Sequence, residues 1–332
     1  MRNHFIDNAK YILVFMVVFG HMIEPILHES SAIKVIYLSI YSFHIPAFVL
    51  ISGALSKSDI TSGQFSKMIK SILVPFFVFT VLYEIFNLVT EGDISNATKD
   101  LAPYWLLWFL YSLFIWRLLL PIFLNFRYPI LTSICLSISA GYLDSIGYSL
   151  GLSRTLYFLP FFIIGYKLKP KLIEQRKAVN ISALALVSIL VTNLAIFLYL
   201  QDMQQQWLYG SYSFSSLNDY GIFAGAKRLL IYVASFITAI AVLQLIPDRE
   251  MRISQKGKNS LHVYVWHGFF VKALSGAGLI AAIGQFPALS SLLILFILSV
   301  LLTVLLSSNP IANGTQNFLI APINKVLVTA KA

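Results

Sequence analysis

Residues 9–28 read AKYILVFMVVFGHMIEPILH, and this stretch decides the class of the protein. From Tyr11 to Gly20 no side chain is charged, and Arg2 and Lys10 stand just before the run. A basic flank ahead of an apolar core is also how a secretory signal begins. Here no small-residue cleavage site follows; His21, Glu24 and Pro25 come instead, which predicts a retained first membrane span.

Outward from this segment the pattern repeats. Apolar runs occupy roughly 9–28, 33–55, 70–90, 103–123, 128–147, 154–169, 179–200, 223–246, 260–279 and 287–307. Several reach the ~20 residues needed to cross a hydrocarbon core of about 30 Å. The sequence therefore predicts an all-α integral membrane protein of about ten transmembrane helices, forming one transmembrane domain over 1–332. Composition agrees: 58% of the 332 residues are hydrophobic and only 11% are charged, far less charge than a soluble domain exposes. Phe (26), Tyr (17) and Trp (5) are plentiful enough to furnish aromatic belts at both interfaces. The longest polar stretch, 201–222, is expected to be an outer loop.

The net charge of +10 raises nucleic acid as a partner, but the basic residues fall in short loops between apolar runs. That placement points to membrane topology and to anionic lipid or an anionic substrate, not to nucleic acid. With the N-terminus in the cytoplasm, every basic residue except Lys34, Lys99, Arg154, Lys227, Arg228 and Lys272 faces inward. This bias predicts an even number of spans with both termini cytoplasmic. The single cysteine, Cys135, excludes an internal disulfide and a cysteine-based metal site. No HExxH, phosphate loop or GxSxG elbow is present, so no metal site and no ATP-driven transport are expected.

Ionisable groups inside apolar runs cost roughly 2.5–3.5 kcal/mol each on insertion scales, so they tend to line cavities. Lys10 and His21 are separated by ten residues, about 16 Å of helix, which puts His21 near the middle of the membrane. Glu24 lies one turn beyond on the same face, where a carboxylate can orient an imidazole and raise its basicity. The alternative is a histidine hydrogen-bonded between packed helices. In FHIPAFVLISG (43–53), Pro46 removes a backbone donor and His44 is placed to face a cavity, while Ser52 and Gly53 allow close helix approach. A kinked packing helix is the other reading. In GKNSLHVYVWHG (257–268), Asn259 or Ser260 is a plausible N-cap, and Lys258 adds charge for a phosphate. Arg154 stands ahead of FLPFFIIG (158–165), either as a contact to substrate or as a snorkelling anchor.

Taken together these segments resemble the membrane acyltransferase family 3, and more closely its fucose-4-O-acetylase-like branch. FIDNAKYILVFMVVFGHMIEP (5–25) is similar to the family's opening, with the basic residue and histidine ten apart at Lys10 and His21. FHIPAFVLISGALSK (43–57), KSILVP (70–75), WFLYSLFIWRLLLP (108–121), LYFLPFFIIGYKL (156–168) and GKNSLHVYVWHG follow in the expected order. The resemblance implies transfer of an acetyl group, sometimes succinyl, from cytoplasmic acetyl-CoA to a hydroxyl of a cell-surface or lipid-linked glycan. It implies His21 as catalytic base and Lys10 as its basic partner, directly or through an acetyl-histidine; many members carry arginine where Lys10 stands. Some members add an extracellular esterase-like domain, which is not expected here, so transfer is expected to finish within the membrane or with a partner.

On this reading Glu24 completes the catalytic group. The acceptor is expected to meet His44, Arg154, Trp105 and His267. The CoA phosphates are expected on Lys67, Lys70, Arg127 and Lys258, with no bound cofactor and a multi-pass location in the cell membrane. The rival expectation is a transporter or flippase for a lipid-linked polysaccharide, with helices broken near Pro46 and Pro160.

Overall fold

The structure is a computed structural model that describes residues 3–95, 101–147, 149–169, 182–195 and 203–327. Every regular element among the described residues is helical. The principal helices are α1 (His4–Ile23), α2 (Ser31–Ala54), α3 (Ser62–Met68), α4 (Val74–Glu91), α5 (Trp108–Leu124), α6 (Pro129–Gly141), α7 (Leu152–Lys167), α8 (Ser182–Ala195), α9 (Ala224–Leu245), α10 (Ser260–Gly276) and α11 (Ala288–Leu306). A π-helical turn, Ile69–Leu73, joins α3 to α4 without a break.

Among the described residues, six helical stretches are long and apolar enough to cross a membrane by length and composition: His4–Ile26, Ser31–Ala54, Ser62–Glu91, Trp105–Leu124, Ala224–Leu245 and Ala288–Leu306. Helices also form at the other four predicted positions. The described parts of α6, α7, α8 and α10 run 13, 16, 14 and 17 residues, however. The clearest shortening is α6, which stops at Gly141 while the apolar run continues to 147. Its 13 residues rise only about 20 Å, short of the hydrocarbon thickness.

Neither Pro46 nor Pro160 breaks its helix: α2 and α7 are continuous through them. Each proline removes one donor, and tight packing on both sides holds the helix together. The broken helices expected of a transporter are therefore not found at these positions.

The chain divides into two compact units. The first gathers Met1–Phe48, Ile173–Leu208 and Leu230–Ala312. At its centre α1 packs against α10, α11 and the short helix Arg252–Lys256. Asn3 starts α1 by accepting from the Ile6 amide at 3.1 Å, a normal N-cap bond. Pro25 ends it, and a 3-10 turn, Glu24–Ile26, follows. Phe15 and Phe19 meet the edge of Phe296 from α11 at 5.3 and 5.6 Å. Near its start α1 is fastened by Asn8, which is fully buried. Its amide donates to the carbonyls of Pro247 and Arg249 at 2.9 and 3.0 Å, and its oxygen accepts from Ser254 at 2.6 Å. Gly257 is required here: a Cβ would fall 2.0 Å from the Asp7 carbonyl oxygen.

The second unit gathers Val49–Leu172, Tyr209–Leu229 and Asn313–Ala332. Close helix approach, expected at Gly53, is realised against α7. A Cβ on Gly53 would lie 2.1 Å from the Phe162 carbonyl oxygen, and one on Gly165 would lie 2.1 Å from that of Leu50. α5 and α7 are pinned by Trp116, whose ring nitrogen donates to the Thr155 carbonyl at 2.7 Å, and by a Ser112–Thr155 hydroxyl pair at 2.7 Å. The described part of the polar stretch 201–222 is not a plain exposed loop. Of the second unit's share, Ser211, Ser213 and Phe214 are buried; Trp207 and Leu208, also buried, belong to the first unit. Ser213 pairs locally with Ser215, the Phe214 amide donates to the Gly141 carbonyl at 2.7 Å, and Ser153 donates to the Gly210 carbonyl at 2.8 Å.

Candidate active site

His21 occupies the last turn of α1 and Glu24 opens the 3-10 turn that Pro25 enforces. The imidazole Nδ1 stands 3.0 Å from the Glu24 carboxylate. A carboxylate only accepts, so Nδ1 carries a hydrogen toward Glu24. The pair is only partly sheltered, His21 being 16% and Glu24 31% exposed at the side chain. An exposed ion pair of this kind contributes little stability. Its effect is to fix the tautomer and orientation of the ring.

Two more histidines of the first unit gather at this imidazole. His267, from α10, is fully buried and lies almost parallel to His21, with ring centroids 5.5 Å apart and an interplanar angle of 28°. Its Nδ1 reaches the carbonyls of Tyr264 at 2.7 Å and Val263 at 3.1 Å. His44, from α2, is 2% exposed and its Nδ1 donates to the Ile40 carbonyl one turn back at 2.8 Å. Tyr41 ties the group together: its ring lies edge-on to His21 at 6.5 Å, against His44 at 4.6 Å, and stacked on Tyr37 at 3.9 Å. Tyr37 and Tyr41 were not singled out from the sequence, although they stand seven and three residues before His44, which places all three on one helix face.

The remaining predicted residues are distributed differently. Lys10 is half-buried on α1, about 16 Å along the axis from His21 and near the opposite end of that helix. Arg154 and Trp105 meet each other in the second unit, but through the Trp105 carbonyl, which Arg154 approaches at 3.5 Å. The guanidinium also approaches the Ser211 hydroxyl at 3.4 Å and lies 5.2 Å over the ring of Trp108, an aromatic partner that sequence reasoning overlooked.

Of the expected phosphate ligands, Lys67, Lys70 and Arg127 belong to the second unit and Lys258 to the first. Lys67 and Lys258 are exposed and Lys70 is half-buried. Arg127 is exposed with its guanidinium 5.2 Å over Tyr128. Asn259 does occupy the N-cap position of α10, but its amide turns away to donate to the Ser307 carbonyl at 2.8 Å. A 3-10 turn, Gly257–Asn259, leads directly into the helix, so its first amides are not an open phosphate cradle as the sequence predicted. Among the described residues no group of three His, Cys, Asp or Glu could hold a metal ion.

The site therefore consists of a carboxylate-oriented imidazole beside two buried imidazoles and two stacked phenols. That set suits proton transfer at a hydroxyl. The chain is similar to the nodulation protein NolL of Sinorhizobium fredii, with 27% identity over 185 residues, covering 51% of this chain and 49% of that protein. It is also similar to NolL of Mesorhizobium japonicum, with 24% identity over 176 residues, covering 48% and 46%. The chain thus matches about half the length of these curated relatives. No solved structure matches it. The family model described as an acyltransferase domain matches residues 3–308, which takes in His21, His44 and His267 alike, and the chain belongs to acyltransferase family 3.

Proposed function

We propose that this protein is a multi-pass enzyme of the cell membrane that moves an acetyl group from cytoplasmic acetyl-CoA to a hydroxyl of a cell-surface or lipid-linked glycan. The observation that carries this reading is the His21–Glu24 pair at 3.0 Å, partly accessible at the end of a membrane-length helix. The distribution of basic residues supports placing both termini in the cytoplasm, with the ten apolar helices of one domain entering or crossing the bilayer.

In the proposed reaction His21 Nε2 takes the proton of the acceptor hydroxyl as its oxygen attacks the thioester carbonyl. The carbon–sulfur bond breaks, the thiolate leaves, and the proton on His21 returns to it, giving CoA thiol and an O-acetyl ester. Glu24 positions the ring and favours its transient charge. Lys10 sets a positive charge deep to His21, where the donor arrives. The pantetheine arm spans roughly 20 Å when extended, a length comparable with the Lys10–His21 rise. Within the unit that holds His21, Lys258 supplies a cation for the CoA phosphates; the other expected ligands, Lys67, Lys70 and Arg127 for the phosphates and Arg154 with Trp105 for the acceptor, are tested one by one as variants. The test is acetyl transfer from labelled acetyl-CoA by purified protein in lipid nanodiscs. Near-normal turnover by a folded His21→Ala variant rejects the mechanism. Movement of an unmodified lipid-linked glycan without any donor supports a flippase instead.

A further inference from the structure

His267 is the most deeply buried histidine beside the proposed base, and its Nε2 has no hydrogen-bond partner among the described residues. Its protonation state follows from its neighbours. The Val263 and Tyr264 carbonyls can only accept, so the hydrogen is on Nδ1 and Nε2 presents a lone pair. The same logic fixes His44, whose Nδ1 donates to Ile40, and His21, whose Nδ1 donates to Glu24. All three imidazoles of the cluster thus turn Nδ1 toward an acceptor, and the Nε2 of His267 is left as a buried lone pair. A buried lone pair in such a cluster attracts either a metal ion or a ligand rich in O–H groups. The metal is disfavoured because no three such groups among the described residues stand close enough to share an ion.

One hydroxyl has one hydrogen and cannot donate to two lone pairs. If the reacting hydroxyl gives its proton to His21, the lone pair of His267, on a ring 5.5 Å away, calls for a second donor on the same molecule. Adjacent hydroxyls of a sugar ring provide two O–H groups about 3 Å apart, each able to reach its own nitrogen at a normal hydrogen-bond length. Leaving a buried acceptor unpaired is costly, so a molecule that supplies both donors is favoured over one that supplies a single donor. Resting on the acyl-transfer reading above, we infer that His267 is a specificity-determining residue: its Nε2 receives the hydroxyl next to the one acylated, so the acceptor must carry a vicinal diol.

The test uses the full chain in nanodiscs, labelled acetyl-CoA, and a panel of methyl hexopyranosides with their monodeoxy analogues. Nuclear magnetic resonance of the product locates the acetyl group. For wild type, removing the hydroxyl adjacent to the acylated one is expected to lower kcat/KM about tenfold, mainly through KM. His267→Leu is expected to erase that preference, and His267→Gln, whose amide oxygen stands near the former Nε2, to restore part of it. Wild type that uses the deoxy analogue as well as the diol overturns the inference with no variant needed. An undiminished preference in a folded His267→Leu protein overturns it too. Absence of transfer to every glycoside tells against the transfer reading itself, and the inference falls with it.

Discussion

Both units bury nitrogen-rich side chains among aromatic rings, yet they use them oppositely. In the second unit Arg228 is 3% exposed, lies 4.3 Å over Phe214 and 5.2 Å over Tyr157, and donates to the carbonyls of Ser137 at 2.9 Å and Tyr212 at 3.3 Å. Two of its terminal nitrogens are engaged by backbone carbonyls and its charge rests on ring faces. In the first unit His267 gives the fold one nitrogen and keeps the other as an acceptor. A buried guanidinium has only donors and can be wholly absorbed into structure. A neutral imidazole has one of each, so anchoring it still leaves a lone pair for chemistry. The contrast separates a structural knot from the proposed reactive cluster even though both are polar groups set in apolar helices.

The sharpest way to break this contrast is at His21. His21→Ala should lower acetyl transfer by about a thousandfold, within the range for loss of a general base, while leaving the melting temperature nearly unchanged. A large fall in stability instead would make the cluster a knot like its counterpart. Glu24→Gln comes next. It keeps the shape but offers a weaker and invertible partner, and because the pair is partly exposed the expected loss is about 10- to 100-fold in kcat, with KM for the acceptor little changed.

Arg228→Met should do the reverse of His21→Ala. The carbonyls of Ser137 and Tyr212 lose their donor, costing about 1–3 kcal/mol of stability, read as earlier thermal unfolding. Transfer at low temperature should persist. An inactive but fully stable Arg228→Met protein would erase the distinction drawn here. The smallest effect is expected at exposed Lys67. Lys67→Gln should raise KM for acetyl-CoA by roughly two- to fivefold and make it less sensitive to salt, as befits a solvent-screened cation.

Much of the architecture was written in hydrophobic periodicity and run length. The positions of α1, α2, α5, α9 and α11 follow from apolar runs of about 20 residues bounded by charge or proline. The end of α6 did not, because Tyr142, Leu143 and Ile146 are apolar enough to continue a span while the backbone turns at Gly141 to meet Phe214 and Arg228. A Cβ at Gly141 would fall 2.5 Å from the Phe214 ring, a constraint that exists only once residues far apart in sequence have met. For the site, the i, i+3 spacing of His21 and Glu24 was enough to predict their contact, since the last turn of α1 runs straight into the 3-10 turn that carries Glu24. The stacking of His267 on His21 joins two helices far apart in sequence, and no local spacing encodes that. Arg228 looked like a misplaced charge in a loop count. Its purpose shows only with Tyr157 and Phe214 around it.

The fastening of α1 at Asn8 has a consequence for how the chain is made. Ser254, which donates to Asn8, lies 246 residues later, and the Pro247 carbonyl lies 239 residues later. At roughly 5–20 residues per second of synthesis, the first helix waits on the order of ten seconds or more with a polar amide unsatisfied. Its final seating, and with it the pairing of an early histidine with one on α10, belongs to the last stage of biogenesis. A nascent chain halted before residue 247 holds the oriented base but has nowhere to anchor it, so catalytic competence should emerge as a late, single event and not grow gradually with length.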